Sequence, residues 1–170
     1  MNKKINSKEK IIETASKLFQ INGYNATGMN EILKESSSPK GSLYYYFPNG
    51  KEELAIAAIK MASKTIQNKI TTGMNKSTDP TIAIQNVIDG MIEALNKNGN
   101  LQTLSISLIS LETCLSSDIL QKVCAESFTK LENLYANKLI AAGFSEKTAT
   151  ELGITIQIMI EGALTISITQ

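Results

Sequence analysis

Apolar positions recur along this chain at spacings of three and four. Ile11, Ile12, Ala15, Leu18 and Phe19 mark one face of a helix from about Ser7 to Ile21, and Gly23 follows as a C-terminal stop. Met29, Ile32 and Leu33 form a second, shorter stripe that runs to about Glu35, with the Thr27 hydroxyl placed to cap its N-terminus. The polar run Ser36-Ser37-Ser38 interrupts the pattern. Ser38 before Pro39 fits an N-cap with proline at the first helical position, so a third helix starts at Pro39. It closes near Tyr46, because Phe47-Pro48-Asn49-Gly50 is a turn signal.

Lys51-Glu52-Glu53 then opens a long helix, carried by Leu54, Ala58, Met61 and Ile66 to about Thr72. Gly73 to Pro80 is polar and reads as a loop. Further helices are expected over Thr81 to Asn96, Leu101 to Leu115, Ser117 to Ala142, and from Glu146 onward, with Asn98-Gly99, Ser116-Ser117 and Gly143 between them. Ile154 to Ile160 alternates strictly and is rich in β-branched residues, which suits a strand as well as a helix. No partner strand is visible elsewhere, so the segment is assigned to a helix. The expectation is an all-α chain: a helix-turn-helix domain over 1–50 and a helical bundle over 51–170. Thr169-Gln170 brings no cap, proline or glycine, which leaves room for a final C-terminal helix.

Charge sharpens this division. Residues 1–76 hold 12 Lys and 6 acidic residues, a net +6, whereas residues 77–170 hold 5 Lys and 10 acidic residues, a net −5. The first part suits a polyanion and the second does not. All the cations are lysines, and histidine is absent. Without histidine, most zinc sites, Ser/His and Cys/His catalysis and the usual neutral-pH base are lost. An enzyme would rest on stray carboxylates such as Glu112 and Glu161, and none is expected, nor a metal or cofactor. No basic residue directly adjoins Cys114 or Cys124, and both read as reduced thiols. No apolar leader follows the N-terminal MNKKINSKEK, which points to the cytoplasm. Ile154 to Ile168 is apolar, but Thr155, Gln157, Glu161 and Thr165 interrupt it, and it falls short of the ~20 residues of a membrane span.

In the third helix, Lys40, Gly41, Tyr44 and Tyr45 share one side, while Leu43 and Phe47 are i, i+4 partners that pack inward, as does Tyr24. Lys40 can reach guanine or a phosphate, Gly41 lets backbone approach closely, and the tyrosines offer hydroxyls and ring faces. Three consecutive helical tyrosines point about 100° apart, so at least one of Tyr44, Tyr45 and Tyr46 must be partly buried.

Ala15, Leu18-Phe19, Gly23-Tyr24, Thr27, Ile32, Lys40-Gly41-Ser42-Leu43-Tyr44-Tyr45, Phe47 and Lys51-Glu52-Glu53-Leu54, taken together at this spacing, resemble the DNA-binding half of the TetR family of repressors. Pro39-Lys40-Gly41-Ser42 and Phe47-Pro48-Asn49-Gly50-Lys51 resemble its lincomycin-resistance branch more narrowly. The resemblance implies a homodimer that binds double-stranded operator DNA and is released by a small lipophilic effector. It implies phosphate contacts from Thr27, Tyr45, Tyr46 and Lys51, and base-edge positions for Lys40, Gly41, Ser42 and Tyr44. Tyr46 replaces the family's usual histidine, and a phenol can still donate to phosphate. Ser37 stands where many members have glycine, at a cost of about 1 kcal/mol if its φ is positive.

In the second half, Met91, Ile109, Cys114, Phe128, Leu131 and Tyr135 lie on apolar helix faces. They are candidates to line an effector pocket, and ordinary core explains each equally well. Apolar residues nearly encircle Leu152 to Ile168, which suits a dimer interface. The competing reading is a helical small-molecule binding protein without a DNA function, favoured by the acidic, apolar second half and the missing arginines.

Overall fold

The computed structural model describes residues 6–98 and 106–167. They form eight helices and no strand: α1 (Ser7–Asn22), α2 (Met29–Glu35), α3 (Lys40–Tyr46), α4 (Lys51–Met74), α5 (Pro80–Asn98), α6 (Ser107–Thr113), α7 (Asp118–Ala141) and α8 (Glu146–Ser167). The chain is all-α, as its periodicity predicts. Residues 101–105 of the expected Leu101 to Leu115 helix, and the chain end at Ile168 to Gln170, lie outside the described residues.

Two compact units emerge, one of residues 1–62 with 106–124, the other of residues 63–105 with 125–170. In the first, α1 begins on a reciprocal cap: the Asn6 side chain accepts from the Lys8 N–H and the Glu9 carboxylate accepts from the Asn6 N–H. Its apolar stripe buries Ile11, Ala15 and Phe19. Gly23 ends the helix at φ 82°. Thr27 does not cap α2. Gly28 holds the N-cap position, while the Thr27 hydroxyl turns back to donate to Gly23 O at 2.7 Å and Leu18 O at 3.3 Å. Thr27 therefore closes the α1–α2 turn from inside.

The end of α2 explains the serine run. Ser38 N–H donates to Leu33 O and Ser37 N–H to Lys34 O, both at 3.1 Å. This crossed pair requires a left-handed residue at Ser37, which has φ 49°. The expected N-cap Ser38 is displaced by one residue: Pro39 is the N-cap and α3 starts at Lys40. Ser38 Oγ donates to Ser36 O instead. Leu43 and Phe47 are buried and fix α3 on the unit, each stabilising it by about 2 kcal/mol.

In the second unit, α4 continues past Thr72 through Gly73 and Met74. Gly73 is a packing residue and not part of a loop: a Cβ there would lie 2.7 Å from Val87 Cγ2 and 3.0 Å from Val87 Cα. Lys138 Nζ donates to Met74 O and Ser77 O, satisfying carbonyls that the helix end leaves open. Asp79 caps α5, its Oδ1 accepting from the Thr81 and Ile82 N–H groups at 2.8 and 3.0 Å, with Pro80 as the first helical residue. The α7–α8 pair closes around Ala136, Leu139 and Ala149.

The Ile154 to Ile160 segment is helical. Because α8 begins at Glu146, it has 22 residues, long enough and apolar enough to span a membrane, so the length argument made from Ile154 does not hold. The helix divides into two faces. Ala149, Gly153, Gln157, Ile160 and Leu164 are buried, whereas Ile158 and Met159 are 65% and 68% exposed.

Candidate nucleic-acid interface

The outward side of α3 follows from what its inner side buries. With Leu43 and Phe47 turned in, Lys40, Gly41, Tyr44 and Tyr45 face solvent. Tyr45, at 79% exposure, is too open for a packing role. Lys40 Nζ lies 5.9 Å from the Tyr44 ring centroid, and the Tyr45 and Tyr46 rings meet edge to face at 5.1 Å. At these exposed positions each contact favours the observed side-chain arrangement by no more than about 1 kcal/mol. Tyr46 is the half-buried member of the tyrosine run, and Ser42 is half-buried beside it. Nothing lies within 4 Å of where a Gly41 Cβ would be, so the helix surface there is bare backbone.

Lys51, at the start of α4, is set apart from ordinary surface lysines. Its Nζ sits 4.5 Å over the Tyr24 ring and donates to Asn25 O at 3.4 Å. Partial burial lowers its pKa below the usual lysine value, and the Glu112 carboxylate opposes that shift. Tyr24 is half-buried and not fully inward: its ring tilts against Phe19 at 5.5 Å. Burial, then the Glu52 charge, raises the Tyr24 phenol above its ordinary pKa.

Thr27 does not join this surface. It is fully buried, with its hydroxyl donating to Gly23 O.

Glu112 is the residue that sequence reasoning missed. From α6 its Oε2 accepts from the Asn25 N–H at 2.8 Å, and any Cβ on Gly23 would collide with its carboxylate. Gly23 is required for its positive φ, and a side chain there would also push the Glu112 carboxylate off the Asn25 N–H. Close by in the chain, Ser117 Oγ donates to Glu52. Glu112 lies 87 positions from Asn25, and no local signal in the sequence ties a lone glutamate to the α1–α2 turn.

The six candidate pocket residues divide. Met91, Phe128, Leu131 and Tyr135 belong to the unit of 63–105 with 125–170, whereas Ile109 and Cys114 belong to the other. Met91 lines a groove of about 460 Å³ between α4 and α5, together with Lys69, Lys76 and Asn86, a volume within the range of small-molecule sites. Leu131 and Tyr135 are fully buried and Phe128 is half-buried. Cys124 is buried, which pushes its thiol pKa up against the bonds from Ser110 and Thr113. That is the opposite of what a reactive thiolate needs.

Comparison with known proteins places both halves. Residues 11–58 match the family described as bacterial regulatory proteins, tetR family. Residues 80–170 match the C-terminal domain described as transcriptional regulator LmrA/YxaF-like. Over 163 residues the chain is 45% identical to the uncharacterized HTH-type transcriptional regulator YxaF of Bacillus subtilis, covering 96% of this chain and 85% of that one. It is 40% identical to the HTH-type transcriptional regulator LmrA of the same organism, covering 96% and 87%. Among solved structures, a TetR transcriptional regulator from Legionella pneumophila superposes with a TM-score of 0.81 at 24% identity, over 98% of this chain and 89% of that one.

Proposed function

The chain belongs to the TetR family of bacterial transcriptional regulators, and from that premise we propose that it acts as a homodimeric repressor. It leaves a palindromic operator when a small lipophilic effector binds within residues 51–170. The observation that carries this reading is the outward face of α3, where Lys40, Gly41, Tyr44 and Tyr45 are all exposed on a helix anchored from behind by Leu43 and Phe47.

In this reading Lys40, Ser42, Tyr44 and the backbone at Gly41 meet base edges in the major groove, while Tyr45, Tyr46 and Lys51 take phosphates. No arginine is present to form a bidentate fork with guanine. Much of the affinity then comes from phosphates, and selectivity depends on two copies of α3 held ~34 Å apart, one turn of the duplex. Residues 1–50 serve the DNA and 51–170 the effector and dimer. The second copy packs on the exposed side of α8, where Ile154, Ile158, Met159 and Ile166 present an apolar surface.

The test is footprinting of the DNA upstream of the chain's own gene, followed by binding at several salt concentrations. Affinity should fall steeply with salt, and Lys51→Ala should reduce the slope of log K against log salt by about 1. Affinity that stays flat across salt would overturn the reading.

A further inference from the structure

Two polar atoms in the 63–105 and 125–170 unit are sealed from water without a partner among the described residues: Tyr135 Oη on α7 and Gln157 Oε1 on α8. Tyr135 is 0% exposed and Gln157 4%. Folded proteins pair nearly all such atoms, so a buried orphan calls for an explanation. The orientation of the Gln157 amide is fixed by its other end. Its Nε2 donates to Glu161 Oε1 at 2.9 Å, and because a carboxylate only accepts, turning the amide over would set oxygen against oxygen. Oε1 is therefore left bare by the geometry of its neighbours. Burial and the nearby Glu161 charge also keep the Tyr135 phenol protonated, so it can donate as well as accept.

Gln157 Oε1 and the Glu161 carboxylate are acceptors, Tyr135 Oη can donate, and the apolar side chains of Leu131, Ile160 and Leu164 are buried on the same two helices. The geometry points to a binding subsite for the polar end of the effector, formed by Tyr135, Gln157 and Glu161, which takes a hydroxyl or protonated amine on an apolar skeleton and rejects a carboxylate or phosphate. A donor would satisfy Gln157 Oε1 and accept from or give to Tyr135 Oη, whereas an anion would meet the Glu161 charge. The proposal rests on the reading of the chain as an effector-gated regulator, and it names the chemistry of that effector.

The experiment uses the full DNA-free chain and three probes of one skeleton: 2-naphthol, 2-naphthylmethylammonium and 2-naphthoate, each titrated by calorimetry. Naphthol or the ammonium should bind at least about tenfold more tightly than naphthoate, and Gln157→Leu should weaken the better probe by about tenfold. Glu161→Gln separates the two donors, since only the ammonium should lose affinity. Tyr135→Phe removes an unpaired hydroxyl, so it should raise the Tm of the ligand-free chain while weakening the probe. Naphthoate binding as tightly as naphthol, no binding by any probe, or a lower Tm for Tyr135→Phe would overturn the subsite. Failure of the regulator reading shows separately, as an absence of operator binding by the wild-type chain.

Discussion

Ser37 holds the left-handed conformation at φ 49° because the crossed bonds from Ser37 and Ser38 to the end of α2 demand it. A side chain there is strained, and glycine is not. Ser37→Gly should stabilise the chain by about 1 kcal/mol, read as a higher urea midpoint with an unchanged m-value. The strain was legible in the sequence, since the family resemblance placed a glycine at this position. Thr27 was not legible in the same way. A threonine just before an apolar stripe looks like a cap, but Gly28 takes that place, and the buried Thr27 hydroxyl bonds to Gly23 O at 2.7 Å. Thr27→Val should cost about 1 kcal/mol in denaturant unfolding while leaving the salt slope of DNA binding unchanged. A reduced slope would put the hydroxyl back on a phosphate.

Among the elements, helix identities followed from apolar periodicity, and the errors gathered at ends. Gly73 looked like the start of a loop because glycine usually breaks helices, yet here its missing side chain lets α4 lie against Val87. Only the partner helix reveals this. The same physics governs Gly153 in α8, where a Cβ would stand 2.7 Å from Glu132 O and 3.1 Å from Ala136 N. Those are backbone atoms of α7 and cannot rotate aside. Gly153→Ala should therefore destabilise the chain by about 2 kcal/mol through overpacking, seen as a lower Tm. Chain position alone would suggest the opposite sign, since alanine is the better helix former.

For the whole molecule, the charge division between the two parts of the sequence and the two-faced α8 lead to one prediction. Ile158→Glu places a charge in the exposed apolar strip of α8. Sedimentation should find this variant monomeric, with operator affinity lost because a single α3 cannot span both half-sites. A dimeric Ile158→Glu would move the interface elsewhere. The apolar strip was legible because its residues nearly encircle the helix. The Tyr135 and Gln157 orphans were not, because the pattern of apolar positions does not record whether a buried polar atom has found a partner.

The Glu112 bond to the Asn25 N–H bears on how such regulators can be recombined. A chimera that inherits only residues 1–50 keeps the Thr27 bonds that close the α1–α2 turn and loses the carboxylate that accepts from the Asn25 N–H. Its Gly23 keeps an open flank and its Asn25 N–H goes to solvent. The transferable cassette is instead discontinuous, and it must carry the stretch from Ile106 to Cys124 that packs into the same compact unit. Grafts cut at residue 50 are expected to be about 1 kcal/mol less stable than grafts that also carry 106–124, read as a lower Tm.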